Sequence, residues 1–108
     1  MNRVPYEMFA PMHADEPARP PIRVELFGIP RQRAGVGETT AEGSNLGELL
    51  ADLGRRHPDL AATCLDGNRL RPGFVANLGG ERFVSDPKTE VRAHDTVMIL
   101  SADAGGGS

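Results

Sequence analysis

The stretch "SNLGELLADLGRRHP" places Leu46, Leu49, Leu50 and Leu53 at i, i+3, i+4 and i+7, a single apolar stripe on a 3.6-residue period. This is the clearest helical pattern in the chain, so one main helix is available to cover one face of one sheet. Asn45 is positioned to cap it, with Glu48 three residues later completing a capping-box-like pair. Arg55, Arg56 and His57 fall in the last turn, where cations favour the helix dipole, and Pro58 is expected to stop it. Gly47 and Gly54 lie inside the pattern and should weaken it locally.

The surrounding segments read as strands. "IRVELFG" alternates Ile22, Val24 and Leu26 against Arg23, Glu25 and Phe27, the period-two pattern of a half-buried strand. "IPRQRAGVG", punctuated by Pro30, Gly35 and Gly37, is expected to be a loop, and "ETTAEG" a short second strand. "DLAATCLDGNRLRPG" reads as a connector with a turn at Asp66–Gly67. "FVANLGGERFV" predicts a hairpin about Gly79–Gly80, "SDPKTEVRAHD" a loop, and "TVMILS" a last apolar strand. The order β-β-α-β-β(-β) makes the chain α+β, because strands and helices do not alternate regularly. Three regions are expected: a Pro-rich disordered extension over 1–21, a folded domain over 22–101, and a flexible Gly-rich tail over 102–108.

Several function classes are disfavoured by composition. At 108 residues and 39% hydrophobic content with no Trp, the chain can build one core, from Leu, Val and Ile. Eleven Arg and one Lys against fifteen acids, net charge −3, argue against nucleic-acid binding. Cys64 is the single cysteine, so neither an internal disulfide nor a multi-cysteine metal or cluster site can form. It reads as a packed hydrophobe rather than a reactive thiol. His13, His57 and His94 match no metal spacing, and "NLGGER" lacks the strand–loop–helix setting and lysine of a phosphate cradle. With no signal-like or membrane-spanning run, a cytoplasmic protein is expected, with no bound cofactor or metal.

Four pieces taken together carry a resemblance: "VELFGIPRQRAGV", "LGELLADL", "GFVANLGGERF" and "RAHDTVMILSADAGG". In this order and spacing the chain resembles the β-grasp, ubiquitin-like sulfur carriers of the MoaD/ThiS family over about Ile22 to Gly106. The long first loop is most similar to the molybdopterin-synthase small subunit or the cysteine-pathway carrier. The resemblance implies a mixed sheet of four to five strands packed on one main helix. The sequence departs from the family pattern at His94–Asp95, where Gly-Asp is usual, and in continuing past the second glycine as Gly107–Ser108.

The resemblance also implies a chemistry. A ubiquitin-activating-type adenylyltransferase, using ATP, adenylylates the terminal glycine carboxylate, and a sulfur donor displaces AMP to leave a thiocarboxylate. A sulfur-acceptor enzyme, such as the molybdopterin-synthase large subunit, then takes the sulfur, which makes this chain a co-substrate or a synthase subunit rather than a stand-alone enzyme. Gly106 is the expected bearer of the reactive carbonyl, with Ala104, Gly105 and Gly107 as the surrounding tail. Side-chain-free residues pass a narrow channel and accept unusual backbone angles cheaply. Gly107–Ser108 must then be removed by a trimming protease, or is an appended remnant. Phe27, Phe83, Met98 and Leu100 are candidate docking residues on the uncovered sheet face, or else part of the core. Two rival readings stand beside this one: a ubiquitin-like modifier joined to lysines, and a β-grasp interaction domain with an inert tail.

Overall fold

The computed structural model describes residues 21–102. Ten elements are arranged along the chain. β1 (Ile22–Leu26), α1 (Ile29–Ala34), β2 (Glu38–Ala41), α2 (Leu46–Arg56) and α3 (Pro58–Cys64) come first. The small strands β3 (Leu65–Asp66) and β4 (Arg69–Leu70) precede β5 (Phe74–Leu78), β6 (Arg82–Val84) and β7 (Thr96–Ser101). Five strands form one sheet in the order β2-β1-β7-β5-β6, and β3 and β4 form a separate hairpin. β1 and β7 run parallel at its centre, while the β1–β2, β5–β7 and β5–β6 pairs are antiparallel. This is the mixed β-grasp sheet expected from the sequence, in an α+β chain.

The leucine stripe drives α2 onto the sheet. Leu46, Leu49, Leu50 and Leu53 are each at most 1% exposed and meet Val24, Leu26, Ala76, Val97 and Ile99 in one core. The expected cap forms, with Asn45 Oδ1 accepting from the Glu48 N–H at 2.8 Å. Glu48 reaches back to Ser44, accepting from its N–H and its hydroxyl, each at 2.8 Å.

Two of the next free N–H groups of α2 are satisfied from outside the helix. Thr89 O accepts from Leu46 N and Pro87 O from Gly47 N, each at 2.8 Å. The close approach of this loop explains Gly47: a Cβ there would lie 3.0 Å from Pro87 Cβ. Gly54 plays the same part at the other end, where a Cβ would meet Leu65 and Ala61 at 3.2 and 3.3 Å. The local cost of glycine in the helix is thus offset by close packing.

Two segments depart from the sequence reading. "IPRQRAGVG" is not all loop: Ile29–Ala34 is a helix, with Pro30 in its first turn and Gly35 closing it in the left-handed region at φ 80°. Pro58 ends α2 but also begins α3, so part of the expected connector is helical and buries Leu60 and Cys64. In both places proline supplies a helix start rather than only a break. The Asp66–Gly67 turn is present as the tip of the β3–β4 hairpin. The turn at Gly79–Gly80 forms with both residues at positive φ, and pairs Leu78 with Arg82.

Asp52 ties α2 to the end of β2. Burial opposes its charge, but Glu42 N–H at 2.9 Å and the Arg55 and Arg56 guanidinia at 2.9 and 2.8 Å hold its carboxyl below the ordinary 3.8. A lowered folded value gives stability that is present above 3.8 and lost as pH falls through the folded value. The stability advantage of the native chain over Asp52→Asn should therefore be level at neutral pH and shrink on acidification below that range, as read from urea midpoints against pH. Leu50→Ala, which empties the centre of the core, should cost roughly 2–5 kcal/mol in the same assay.

Candidate functional site

β7 positions the tail. Its residues alternate between faces, with Val97, Ile99 and Ser101 buried and Thr96, Met98 and Leu100 on the far side of the sheet from α2. Because β7 lies between β1 and β5, it is paired on both edges, with β1 as far as Ile99 and with β5 as far as its last residue, Ser101. Phe27 N donates to Ile99 O at 3.0 Å, and Ala102 N donates to Gly73 O at 2.7 Å. The chain is therefore anchored up to Ala102. Ala104, Gly105, Gly106 and Gly107 lie outside the described residues, as do residues 1–20 with His13. Gly106 lies four positions beyond Ala102, a reach of about 14 Å when fully extended.

The face opposite α2 carries the four candidate docking residues together. Strand register sets Glu25, Met98, Asn77 and Phe83 in one row across β1, β7, β5 and β6. Leu100 and its partner Val75 lie one row nearer the tail, with Phe27 just past the end of β1. Phe83 is 67% exposed and Phe27 40%, while Met98 and Leu100 are half-buried. None of the four belongs to the buried core.

Sequence reasoning missed two members of this surface, Val75 and Asn77. Their signal lay in the Gly79–Gly80 turn: once it pairs Leu78 with Arg82, Asn77 must oppose Phe83. Asn77 is only 8% exposed, and its Oδ1 finds no partner among the described residues. An open groove of about 690 Å³ borders the same face near the tail root, with Arg69, Arg71, Phe74, Phe83 and Pro87 among its walls.

The remaining chemistry-bearing residues do not converge. Cys64 is fully buried in the core; burial pushes its thiol up, partly countered by the positive charges of Arg33 and Arg71. His57 Nε2 lies 3.1 Å from Thr39 Oγ1 at the end of α2. His94 sits in the exposed turn before β7, which Asp95 closes by accepting from Arg92 N at 2.7 Å while donating its own N–H to Arg92 O at 2.9 Å. Among the described residues no three His, Cys, Asp or Glu side chains gather to hold a metal, and no helix is long and apolar enough to cross a membrane.

Ser101, the last residue of β7, is 4% exposed and its Oγ has no partner among the described residues. A buried hydroxyl without a partner costs roughly 1–3 kcal/mol. Ser101→Ala should therefore leave stability unchanged or raise it by up to about 1 kcal/mol in urea unfolding. A clear loss would show that the hydroxyl has a stabilising partner in solution.

Comparison with known proteins places this geometry. A family model described as the ThiS family matches residues 24–106. Small archaeal modifier protein 1 (SAMP1) of Haloferax volcanii shares the fold with TM-score 0.66 and 19% identity, over 80% of this chain and 99% of that one. A chain of the Amycolatopsis orientalis BexX/CysO complex aligns with TM-score 0.66 and 26% identity, over 79% and 99% of the two chains. A putative molybdopterin converting factor subunit 1 from Pyrococcus furiosus aligns with TM-score 0.62 and 24% identity, over 76% and 97%. No curated protein matches the sequence.

Proposed function

Since the chain belongs to the ThiS family, we propose that it is a cytoplasmic sulfur carrier whose working group is the carboxylate of Gly106. One observation carries the proposal: the central strand of the sheet is anchored to Ala102 and leads directly into "DAGG", and the family match ends at Gly106. A reactive end has to be presented by a rigid body yet pass into a narrow pocket. A strand held on both edges supplies the first property and glycine the second.

In the first step a Gly106 carboxylate oxygen attacks the α-phosphorus of ATP inside an activating adenylyltransferase. Pyrophosphate leaves, and a mixed anhydride with AMP remains. Sulfur from a donor then attacks the carbonyl carbon, and AMP departs with the C–O bond electrons, leaving a thiocarboxylate. Both steps require exclusion of water, which would hydrolyse the adenylate. An acceptor enzyme of the molybdopterin-synthase large-subunit type, or another maker of a sulfur-containing metabolite, takes the sulfur. The Gly106 carboxylate becomes available once Gly107–Ser108 are removed by a trimming protease, unless that pair is an appended remnant. ATP is a substrate of the partner, and the carrier itself holds no cofactor.

The apolar face around Phe27, Phe83, Met98 and Leu100 is where the carrier rests on these enzymes. The TM-score 0.66 neighbour solved in a complex with BexX supports docking of such a body on a second protein. The modifier reading uses the same adenylation but ends in an isopeptide bond. With Lys88 the only lysine, chains built on the protein's own lysines would have one side-chain site, which favours the carrier.

Intact-mass measurement of protein purified from its native host tests the proposal. The expected species ends at Gly106 and carries one oxygen-for-sulfur exchange. A chain still ending in Ser108, which an activating enzyme fails to adenylylate even after truncation to Gly106, would refute it. Adducts on target lysines would establish the modifier instead.

A further inference from the structure

The described arginines divide into two groups. Arg23, Arg55, Arg56 and Arg92 each contact a carboxylate within 4 Å: Glu25 and Glu38, Asp52, Asp52 and Glu42, and Glu90 respectively. Arg31, Arg33, Arg69, Arg71 and Arg82 form no ion pair among the described residues, and all are exposed.

Topology brings the first four of these to one end of the molecule. α1, with Arg31 and Arg33, comes after the end of β1, and β1 runs parallel to β7. The Arg31 side chain lies over Gly37, whose carbonyl accepts from Leu26 at that same end. Arg69 and Arg71 precede β5, which runs antiparallel to β7, so they too lie where β7 finishes. Arg71 is two residues from Gly73, the residue that anchors Ala102, and it acts with Arg33 on the buried Cys64. Of the acids near this end, Glu25 and Glu38, beside the Leu26–Gly37 pair, are taken by Arg23. Asp66, facing Arg69 across the β3–β4 hairpin, and Asp86 on the groove wall form no salt bridge among the described residues, and Asp103 follows Ala102 in the tail. A chain of net charge −3 therefore presents, near the root of its tail, guanidinia that form no ion pair among the described residues.

We propose that this collar seats on an acidic rim of the adenylyltransferase pocket that receives the tail. The inference rests on the carrier reading and deepens it by naming the chemistry of the partner's surface. The reach of about 14 Å from Ala102 to Gly106 brings the pocket mouth against the tail root. Any enzyme that acts on the Gly106 carboxylate must then cover these guanidinia. Covering them with an apolar rim leaves charges desolvated without partners, and a basic rim repels them. Carboxylates on the rim pair with them and, before contact, turn the carrier so that its tail arrives first.

The test uses ATP–pyrophosphate exchange by the host's own activating enzyme, with the carrier trimmed to Gly106 as varied substrate. Compared with the native chain, Arg33→Glu/Arg71→Glu should raise the KM for carrier roughly tenfold to hundredfold, with kcat within about twofold. The KM of the native chain should rise with salt, and that of the reversed variant should not. Arg33→Lys/Arg71→Lys should keep most of the native KM. Arg82→Glu, at the far end of the sheet, should leave it unchanged. Circular dichroism confirms that each variant is folded, and an unfolded double reversal is replaced by the two single reversals.

An unchanged KM in the folded reversed variants, with exchange intact in the native chain, overturns the collar and leaves the carrier reading standing. Absence of exchange with the native trimmed chain overturns the carrier reading and the collar with it. Tighter binding of an oligouridylate by the native chain than by the reversed variants at physiological salt would assign the guanidinia to nucleic acid and also overturn the proposal.

Discussion

The parallel pairing of β1 with β7 is the interaction on which the rest depends. It joins Arg23 to Thr96 and Leu26 to Ile99, uniting the first and last strands of the described chain at the middle of the sheet. A parallel pair cannot be closed by a tight turn, so everything between them must form the crossover. α2 fills that role, and its leucines are buried because the inner faces of β1 and β7 lie beneath them. Placing the last strand centrally also keeps the tail root from fraying, since it is bonded to β1 on one side and β5 on the other.

The segment from 85 to 95 runs from the end of β6 to the start of β7 and closes the start of α2. Its carbonyls take the first N–H groups of α2, Asn45 bridges to Glu90, and Val91 N donates to Ser44 O at 3.1 Å. The helix start is thus fixed by residues some forty positions later, and Gly47 is the residue that lets the loop come close.

Much of this was legible from local pattern. The helix, its cap, the first and last strands and the Gly79–Gly80 hairpin each arise from residues within a few positions of one another. The misread segments are those where a single residue type has two meanings. A proline disfavours continuing a helix through it yet suits a helix's first turn, where Pro30 and Pro58 stand, and only the packing of Ala34, Leu60 and Cys64 against the core decides for helix. The candidate docking residues were ambiguous because a one-residue slip in register exchanges core and surface. Pairing Phe83 with Asn77 and Asn77 with Met98 removes that ambiguity for the sheet face.

The sequence by itself determined the α+β class, the amphipathic helix, and a glycine-rich end after an apolar strand. These depend on periodicity and on the backbone freedom of glycine, both local properties. Only the tertiary structure decided that this strand lies at the centre of the sheet. The same holds for Phe27, Phe83, Met98 and Leu100 sharing its open face, and for four arginines near the tail root that form no ion pair among the described residues. Those facts depend on which distant strands pair and in what register, a choice set by burial of the whole core rather than by any stretch of the chain.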